Sequence, residues 1–437
     1  MRRYHGESDA ALAAYERALT LLSSSEGRGP QIAALYADMA ELCTRWDAKH
    51  PDLDGLIERG LRLVGDEPSP DRVRLLAARA FAARRQAKSR DEDWEVALAT
   101  AQEALGIAED LGLLREVSLS LDAVGYAYRS LGNFREAYTH NQRRIPIARS
   151  LQDSDELIDA HNMVSASAVV LGNLDEAVEH ARAALEIARA TEKPRLGIYA
   201  LQSVAGAALL AGRFADTIAA VNDLAVFDTM GSDHNAKITL GLGMAAAAAT
   251  GASAEEQRFR DLLAASEPNP AESAGAELLA AIYGQRQSES AYQAARSAGW
   301  PTGIVDRTVW GPLMVLAAAR WGIDDDAHDE RIASLVERTG HARGRALLTQ
   351  AQGLRALRRG EHGRAEKLLF DAIQAFATLQ LDHPRAVAQL DHARALRALG
   401  RRDEAAAERA ESQAGAERLG AKALAMATDA PAATPAI

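Results

Sequence analysis

The sequence predicts an all-α fold, a solenoid of antiparallel helix pairs in units of about 40 residues. Residues 131–140 read LGNFREAYTH and residues 171–180 read LGNLDEAVEH, two segments that share six of ten letters and begin 40 residues apart. Glycines continue this period, and apolar residues recur at helical spacing on both sides of the turn. A period of about 20 to 50 residues is typical of repeat proteins, in which each unit packs on its neighbours.

The glycines mark the turn between the two helices of each unit. Spacings of 40, 40, 39, 33, 38, 38 and 40 residues separate Gly132, Gly172, Gly212, Gly251, Gly284, Gly322, Gly360 and Gly400, and the chain start fits the same template with Gly6. Glycine adopts the left-handed conformation without steric cost, so it can end the first helix. Asn173, Asp175 and Glu176 then suit the first turn of the next helix.

Each unit therefore contains two helices. Before the turn glycine, apolar residues recur at helical spacing, as in Val117, Leu121, Val124 and Tyr128. After it the pattern continues with Ala177, Ala181, Leu185 and Ile187. A small residue seven positions before the glycine predicts that the paired helices cross closely; it recurs as Gly125, Ser165, Ala205, Gly353 and Ala393.

This combination resembles the tetratricopeptide repeat family, whose common unit has about 34 residues. The small residue of the first helix is matched by Gly125, the turn glycine by Gly132 and the small residue of the second helix by Ala137. The end of the second helix is matched by residues 15–19, YERAL. The resemblance, which is best over residues 112–228 and 341–420, implies a right-handed superhelix whose first helices line a concave surface that binds peptides.

The spacing predicts ten helix pairs preceded by one lone second helix. We divide the chain into a partial repeat at residues 1–28, a solenoid at 29–425 and a disordered tail at 426–437, which is rich in Ala, Pro and Thr. Without a first helix to cover the lone helix, we expect Leu12, Tyr15 and Leu19 to be exposed. We therefore expect the chain to be a fragment of a larger protein.

The last repeat unit resembles the end of the tetratricopeptide region of MalT-like and LuxR-like ATP-dependent regulators and of multidomain adenylate or guanylate cyclases. In those families the repeats serve as a sensor or docking arm, which the resemblance implies for this chain. The sequence contains no G-x-x-x-x-G-K-[ST] motif, and no helix-turn-helix pattern follows residue 420.

Composition and charge exclude several classes of function. The net charge of −11 and the pI of about 5.6 disfavour direct nucleic-acid binding, which usually needs a basic face. The single cysteine, Cys43, excludes an intrachain disulfide and is expected to be a buried apolar residue. No signal peptide and no span of about 20 apolar residues is apparent, so we expect a cytoplasmic protein without membrane contact.

Three segments that could carry chemistry are interpreted as structural. GLGMAA at 241–246 lies in a helix-forming stretch, and its glycines suit a helix contact. His383 and His392 in LDHPRAVAQLDH are nine residues apart, which puts them on opposite helix faces, and Asp382 and Pro384 suit a helix start. GIDDDAHDE at 322–330 lacks the alternating ligands of a calcium loop and suits a helix N-terminus. We predict no catalytic residues, no metal site and no cofactor.

A column of polar residues on the first helices is the candidate binding groove. Ten positions before successive turn glycines lie Asp122, Asn162 and Gln202, 40 residues apart. Further polar residues share these helix faces, namely Tyr126 and Arg129 after Asp122, Asp159 before Asn162 and Tyr199 before Gln202. Amide groups suit a peptide backbone and Arg129 suits a carboxylate. The alternative is a solvated helix face that is polar by default.

The sequence therefore predicts a non-catalytic regulatory or scaffold domain that binds a protein segment, a peptide or a small effector in its concave groove. We expect it to act as the sensor arm of a larger signalling or transcription regulator. One alternative is an intracellular peptide-pheromone receptor, which uses similar repeats of about 40 residues. The other is an enzyme with a site between repeats, which the lack of any recognisable chemical constellation disfavours.

Overall fold

The structure is a computed structural model that describes residues 7–23, 27–45, 48–83, 91–226 and 234–429. In these ranges the backbone forms 22 α-helices and one short 3-10 helix at Asp223–Val226, and it forms no strand. None of these helices is long and apolar enough to cross a membrane. In chain order the helices are α1 (Glu7–Ser23), α2 (Gly29–Arg45), α3 (Leu53–Val64), α4 (Pro70–Ala82), α5 (Asp91–Asp110), α6 (Leu114–Ser130), α7 (Phe134–Ser150), α8 (Ser154–Leu171), α9 (Leu174–Ala190), α10 (Pro194–Leu210), α11 (Phe214–Asn222), α12 (His234–Thr250), α13 (Ser253–Ala265), α14 (Pro270–Tyr283), α15 (Glu289–Ser297), α16 (Ile304–Trp321), α17 (Asp326–Thr339), α18 (Ala342–Arg358), α19 (His362–Thr378), α20 (Asp382–Ala398), α21 (Arg402–Arg418) and α22 (Lys422–Asp429).

Within the described ranges, helices α2–α21 form ten consecutive pairs, with α1 before them and α22 after them. Short turns join the two helices of a pair such as α6 and α7 or α18 and α19, which pack along each other and therefore run antiparallel. The predicted all-α fold of antiparallel helix pairs is confirmed. The right-handed superhelix stays a prediction.

The turn glycines end the first helices as predicted, with one exception. Gly132 has φ 84°, and the N–H of the next residue, Asn133, donates to the Tyr128 carbonyl at 2.8 Å. Six further turn glycines have φ between 69° and 89°, but Gly284 has φ −77°. There the left-handed residue is Gln285, because the N–H of Gly284 still makes a helical bond to the Ala280 carbonyl. Gly6 lies outside the described residues.

Turns between successive pairs use the same geometry without glycine at three places. Gln152, Glu192 and Gln380 have φ of 53°, 54° and 55°. In each turn the following N–H donates to a carbonyl five residues back, as in the 2.9 Å bond from Leu381 to Phe376. These bonds hold side-chain-bearing residues in a conformation that costs about 1–2 kcal/mol.

The chain divides into two compact units, residues 1–167 and residues 168–437, here called unit 1 and unit 2. In unit 1 the core of the first repeats includes Leu12, which is buried. Tyr15 and Leu19 pack against the same core and are partly buried. The expectation that these three residues are exposed is therefore wrong, because α1 presents its apolar face to α2.

The small-residue column brings paired helices close together. A Cβ atom on Gly125 of α6 would lie 2.5 Å from the amide nitrogen of Asn141 on α7. That amide is fixed, since its nitrogen donates to the Ala137 carbonyl at 2.8 Å. A Cβ on Gly353 of α18 would lie 2.7 Å from the Cγ atom of Leu369 on α19. Bulk is therefore excluded at both crossings, as the column predicts.

Unit 2 closes on itself, because its last helices return to its first ones. Helix α22 packs on α21 and also on α12. A Cβ on Gly212, in the turn before α11, would lie 3.4 Å from the Cβ of His383 on α20 and 3.3 Å from Cδ2 of Leu419. The turn before α11 therefore lies against the start of α20 and the end of α21.

Helix α22 covers the first residues of the predicted tail. Helix α22 continues to Asp429, four residues beyond the predicted boundary at 425. Leu424 and Thr428 are buried in the packing of this helix, which is what keeps the segment helical. The remaining part of the predicted tail, residues 430–437, lies outside the described residues.

Candidate functional site

The predicted groove residues fall on three first helices in two units. Asp122, Tyr126 and Arg129 lie on α6, and Asp159 and Asn162 lie on the part of α8 that belongs to unit 1. Tyr199 and Gln202 lie on α10 in unit 2 and are partly buried.

In unit 1 the structure brings Asp122 and Asp159 together around a fully buried arginine. Arg144 of α7 donates from Nη1 to Asp122 at 2.8 Å and from Nη2 to Glu156 at 3.0 Å and Asp159 at 2.7 Å. Arg45 of α2 lies 3.3 Å from Asp122 and also pairs with Glu156. We call these five residues the buried ion cluster.

The buried ion cluster changes the interpretation of Asp122. This carboxylate was expected to offer free hydrogen-bonding capacity to a partner, but it is buried and already accepts from two arginines. That expectation is therefore wrong for Asp122. Arg144 and Arg45 carry no signal in the sequence, since neither belongs to a repeated pattern.

The buried ion cluster carries one excess negative charge, because two guanidinium groups face three carboxylates. Burial raises the pKa of Asp122 to about 6, against the opposing effect of Arg144. Burial also disfavours ionised Glu156, but Arg45 and Arg144 outweigh it and hold the pKa of Glu156 well below its ordinary value. Asp122 is thus the carboxylate that takes up a proton first as the pH falls.

The other groove residues are packed rather than solvated. The ring of Tyr126 lies 5.6 Å from the Trp94 ring and 6.0 Å from the Phe81 ring, and Arg129 lies over it at 4.7 Å. Both amide atoms of Asn162 are buried without a hydrogen-bond partner in the described part of the chain. A binding role for the groove column stays a prediction, carried now by Asn162 and its neighbours more than by Asp122.

A second candidate site is a cleft in unit 2, which we call the unit 2 cleft. It is lined by the first helices α14, α16, α18 and α20 and has a volume of about 600 Å³, including solvent in its mouth. Its walls are mostly apolar, with Leu313, Leu316, Leu347 and Val387 among the lining residues. The lining also includes three arginines and no carboxylate. Mostly apolar clefts with a few polar groups in their lining are typical of small-ligand sites.

Two of the three arginines have acidic partners behind the cleft wall. Arg320 donates to Asp391 at 2.6 Å, and Asp391 also accepts from Arg394 at 2.9 Å. Arg286 donates to Glu256 at 2.7 Å. Each of these two arginines therefore has an acidic partner inside the protein.

Arg343 differs from the other two. Its side chain is 5% exposed, and its Nη1 atom donates to the backbone carbonyl of Val309 at 2.9 Å. Among the described residues no carboxylate pairs with it, and its Nε atom is buried without a hydrogen-bond partner. Burial lowers the pKa of Arg343, yet a guanidinium keeps its proton in proteins. A positive charge is therefore buried at the cleft without a counter-charge from the described residues.

Further polar atoms at the cleft also lack partners. Oε1 of Gln350, Nε2 of His383 and Nε of Arg320 are buried and make no hydrogen bond within the described residues. His383 stacks on Tyr283 with ring centroids 5.3 Å apart, and burial next to the arginines lowers its pKa to about 4. It is neutral at pH 7. Donors and an acceptor therefore surround the same space.

One of these residues could have been found from the sequence. Gln350 lies ten positions before the turn glycine Gly360, so it continues the column of Asp122, Asn162 and Gln202. Arg343 carries no such signal, because an arginine without a partner is recognised only after all neighbouring carboxylates have been placed.

Two of the three segments interpreted as structural make structural contacts, whereas His383 of LDHPRAVAQLDH lines the unit 2 cleft. Asp325 of GIDDDAHDE is the N-cap of α17 and accepts the N–H of His328 at 3.3 Å. Gly241 and Gly243 of GLGMAA lie at buried helix contacts, where a Cβ would come within 2.9 Å of Ala276 and Val221 respectively. No group of three or more His, Cys, Asp or Glu residues in the described ranges is placed to hold a metal ion.

Comparisons with known proteins give only distant structural likeness. No family model matches the sequence, and no curated protein matches it. A solved structure of a Rap protein complexed with competence and sporulation factor is 11% identical, with a TM-score of 0.43, and the match covers 91% of this chain and all of that chain. The apo form of RapI is 12% identical, with a TM-score of 0.47, over 81% of this chain and 99% of that chain.

At these identities and TM-scores the likeness does not assign a function. The resemblance of the last unit to MalT-like and LuxR-like regulators and to cyclases stays an expectation.

Proposed function

We propose that the chain is a non-catalytic regulatory repeat protein that binds a peptide, a protein segment or a small effector on the inward faces of its first helices. The observation that carries this proposal is the unit 2 cleft, where four lining residues each carry a buried polar atom that has no hydrogen-bond partner among the described residues. Buried polar groups in folded proteins are normally hydrogen-bonded, so several exceptions in the lining of one cleft favour a ligand-binding site.

The position of the cleft suits a regulatory arm. Four successive first helices contribute to its wall, so a bound ligand would contact four repeats at once. Such a ligand would stabilise one arrangement of these repeats over others, since anything that binds only the native state shifts its equilibrium. If the ligand is a short peptide, the chain would act as a peptide-pheromone-type receptor. It could equally act as the sensor arm of a signalling or transcription regulator.

Selection of a random peptide display library on the immobilised full chain tests the proposal. Ile282 lines the cleft and is half-buried, so Ile282→Trp fills the cleft with little disturbance of the core. Leu399→Trp, at a residue 39% exposed outside the cleft, is the matched control. We expect peptides that bind the wild type and Leu399→Trp but not Ile282→Trp.

The same selection can contradict the proposal. If the wild type enriches no peptide, and a thermal-shift screen of small metabolites also finds no ligand that Ile282→Trp excludes, the cleft is not a binding site. Retained binding in Ile282→Trp would place the ligand elsewhere.

A further inference from the structure

The buried charge of Arg343 makes the unit 2 cleft favourable for an anion. Arg343 is buried and keeps its proton. Asp391, a buried carboxylate behind the cleft wall, is shared by Arg320 and Arg394, and it also accepts from Gln350 at 2.9 Å. An unpaired buried charge is strongly unfavourable, and no described residue supplies the counter-charge, so an anionic ligand would be stabilised here.

The charge of Arg343 favours a ligand with one carboxylate. Arg320 and Arg286 each pair with a carboxylate, and His383 is neutral at pH 7. Among the arginines that line the cleft, Arg343 alone pairs with no carboxylate of the described residues. One carboxylate would balance the charge of Arg343 and matches the planar guanidinium.

The walls of the cleft define the rest of the ligand. Leu313, Leu347 and Val387 present apolar surface next to the charged group. Gln350 and His383 also line the cleft, and Oε1 of Gln350 and Nε2 of His383 have no hydrogen-bond partner among the described residues. The ligand therefore carries its carboxylate on an apolar body.

We infer that the unit 2 cleft is a carboxylate-binding site in which Arg343 pairs with one carboxylate on an apolar ligand. This inference rests on the proposed function and adds the chemical class of the ligand. Two sources share this chemistry: a peptide with an apolar residue next to its carboxylate, and a free organic acid. Arg343 positions the ligand, and Gln350 and His383 select its orientation.

The test compares acids with their neutral amides on the full chain. The first pair of probes is 4-methylpentanoate and 4-methylpentanamide. The second pair is acetyl-Leu-Leu with a free C-terminal carboxylate and the same dipeptide as its C-terminal amide. Binding is measured by isothermal titration and thermal shift up to about 10 mM, which exceeds a Kd of about 1 mM tenfold. At least one acid is expected to bind about thirtyfold or more tightly than its amide, the loss typical of removing one partner of a buried charge pair. The acid that binds identifies the source.

The matched variants are Arg343→Met and Arg345→Met, which lie two positions apart on α18, the second on its exposed face. Arg343→Met is expected to remove the preference for the acid while its own melting temperature, without ligand, stays equal to that of the wild type or rises. A purely structural arginine would instead lower the melting temperature when removed. Arg345→Met should keep the preference.

Several results would overturn the inference. The inference is wrong if the wild type binds acid and amide equally, or if neither acid binds to the wild type. Retention of the acid preference in Arg343→Met would overturn it as well. A selected peptide that is lost in Ile282→Trp but retained in Arg343→Met would overturn the carboxylate site and leave the proposed binding function intact.

Discussion

Asp122→Asn removes one titratable group from a cluster that holds three carboxylates and two arginines. The asparagine oxygen can still accept from Arg144, which donates to Asp122 at 2.8 Å in the wild type. The substitution therefore resembles protonated aspartate in shape and hydrogen bonding. It removes the excess negative charge of the buried ion cluster at every pH.

The size of the effect follows from the pKa of Asp122. Burial raises this pKa from 3.8 to about 6. Because the folded-state pKa is the higher one, the favourable contribution of Asp122 is fully present below pH 3.8 and is lost as the pH rises through 6. A difference of about 2 pH units corresponds to about 3 kcal/mol. The stability of Asp122→Asn relative to the wild type should therefore rise by about 3 kcal/mol between about pH 4 and pH 7.

Hydrogen exchange of the α6 amides, followed by mass spectrometry across this pH range and corrected for the intrinsic exchange rate, measures the local free energy of opening. Asp110→Asn, at an exposed position at the end of α5, is the control and should show no such trend. A difference between Asp122→Asn and the wild type that stays constant with pH would refute the charge-excess argument. A difference that falls with rising pH would show that the arginines dominate over burial at this carboxylate.

Three further predictions concern the same physical terms. Arg144→Met leaves buried carboxylates without their main partner and should lower the stability of unit 1 by about 3–5 kcal/mol, measured by urea unfolding that is followed through hydrogen exchange of α6. Arg143→Met removes an exposed ion pair and should change the stability by less than about 1 kcal/mol. Equal effects of the two substitutions would contradict the role of burial. Gly125→Ala should destabilise by about 1–3 kcal/mol, because its methyl group would lie 2.5 Å from the asparagine amide it packs against, while Gly106→Ala, with nothing within 4 Å, should stabilise by about 1 kcal/mol in thermal unfolding. Finding the two alanine variants equally stable would remove the case for a close crossing. Burial, with a nearby aspartate, raises the pKa of Glu272 to about 7, so the favourable contribution of this carboxyl to stability is lost as the pH rises through 7. Relative to the wild type, Glu272→Gln should therefore slow hydrogen exchange of the α14 amides more at about pH 8 than at about pH 5. An equal effect of the substitution at both pH values would contradict the direction of this shift.

The repeated glycines could be interpreted from sequence because the turn is a local structure. A residue such as Gly132 ends a helix through its own φ and bonds to carbonyls within five residues. The sequence did not predict the left-handed backbone conformation of Gln285, Gln152 and Glu192. It does not show where backbone hydrogen bonds outweigh the cost of that conformation for a residue with a side chain.

Only some of the candidate binding residues could be predicted from the sequence. The column at ten positions before the turn glycine continues to Gln350, which lines the unit 2 cleft. The sequence could not show that Asp122 pairs with Arg45 on α2, because that contact joins distant parts of the chain.

The sequence by itself determined the all-α architecture, the ten helix pairs and the positions of most turns. These depend on hydrophobic period, helix capping and the freedom of glycine, all of which act over a few residues. Only the tertiary structure decided which charges are compensated. Arg320 finds Asp391, 71 residues away, whereas Arg343 finds no carboxylate among the described residues. The cost of a buried charge depends on all groups that packing brings around it, and that surrounding set is not encoded in any short segment.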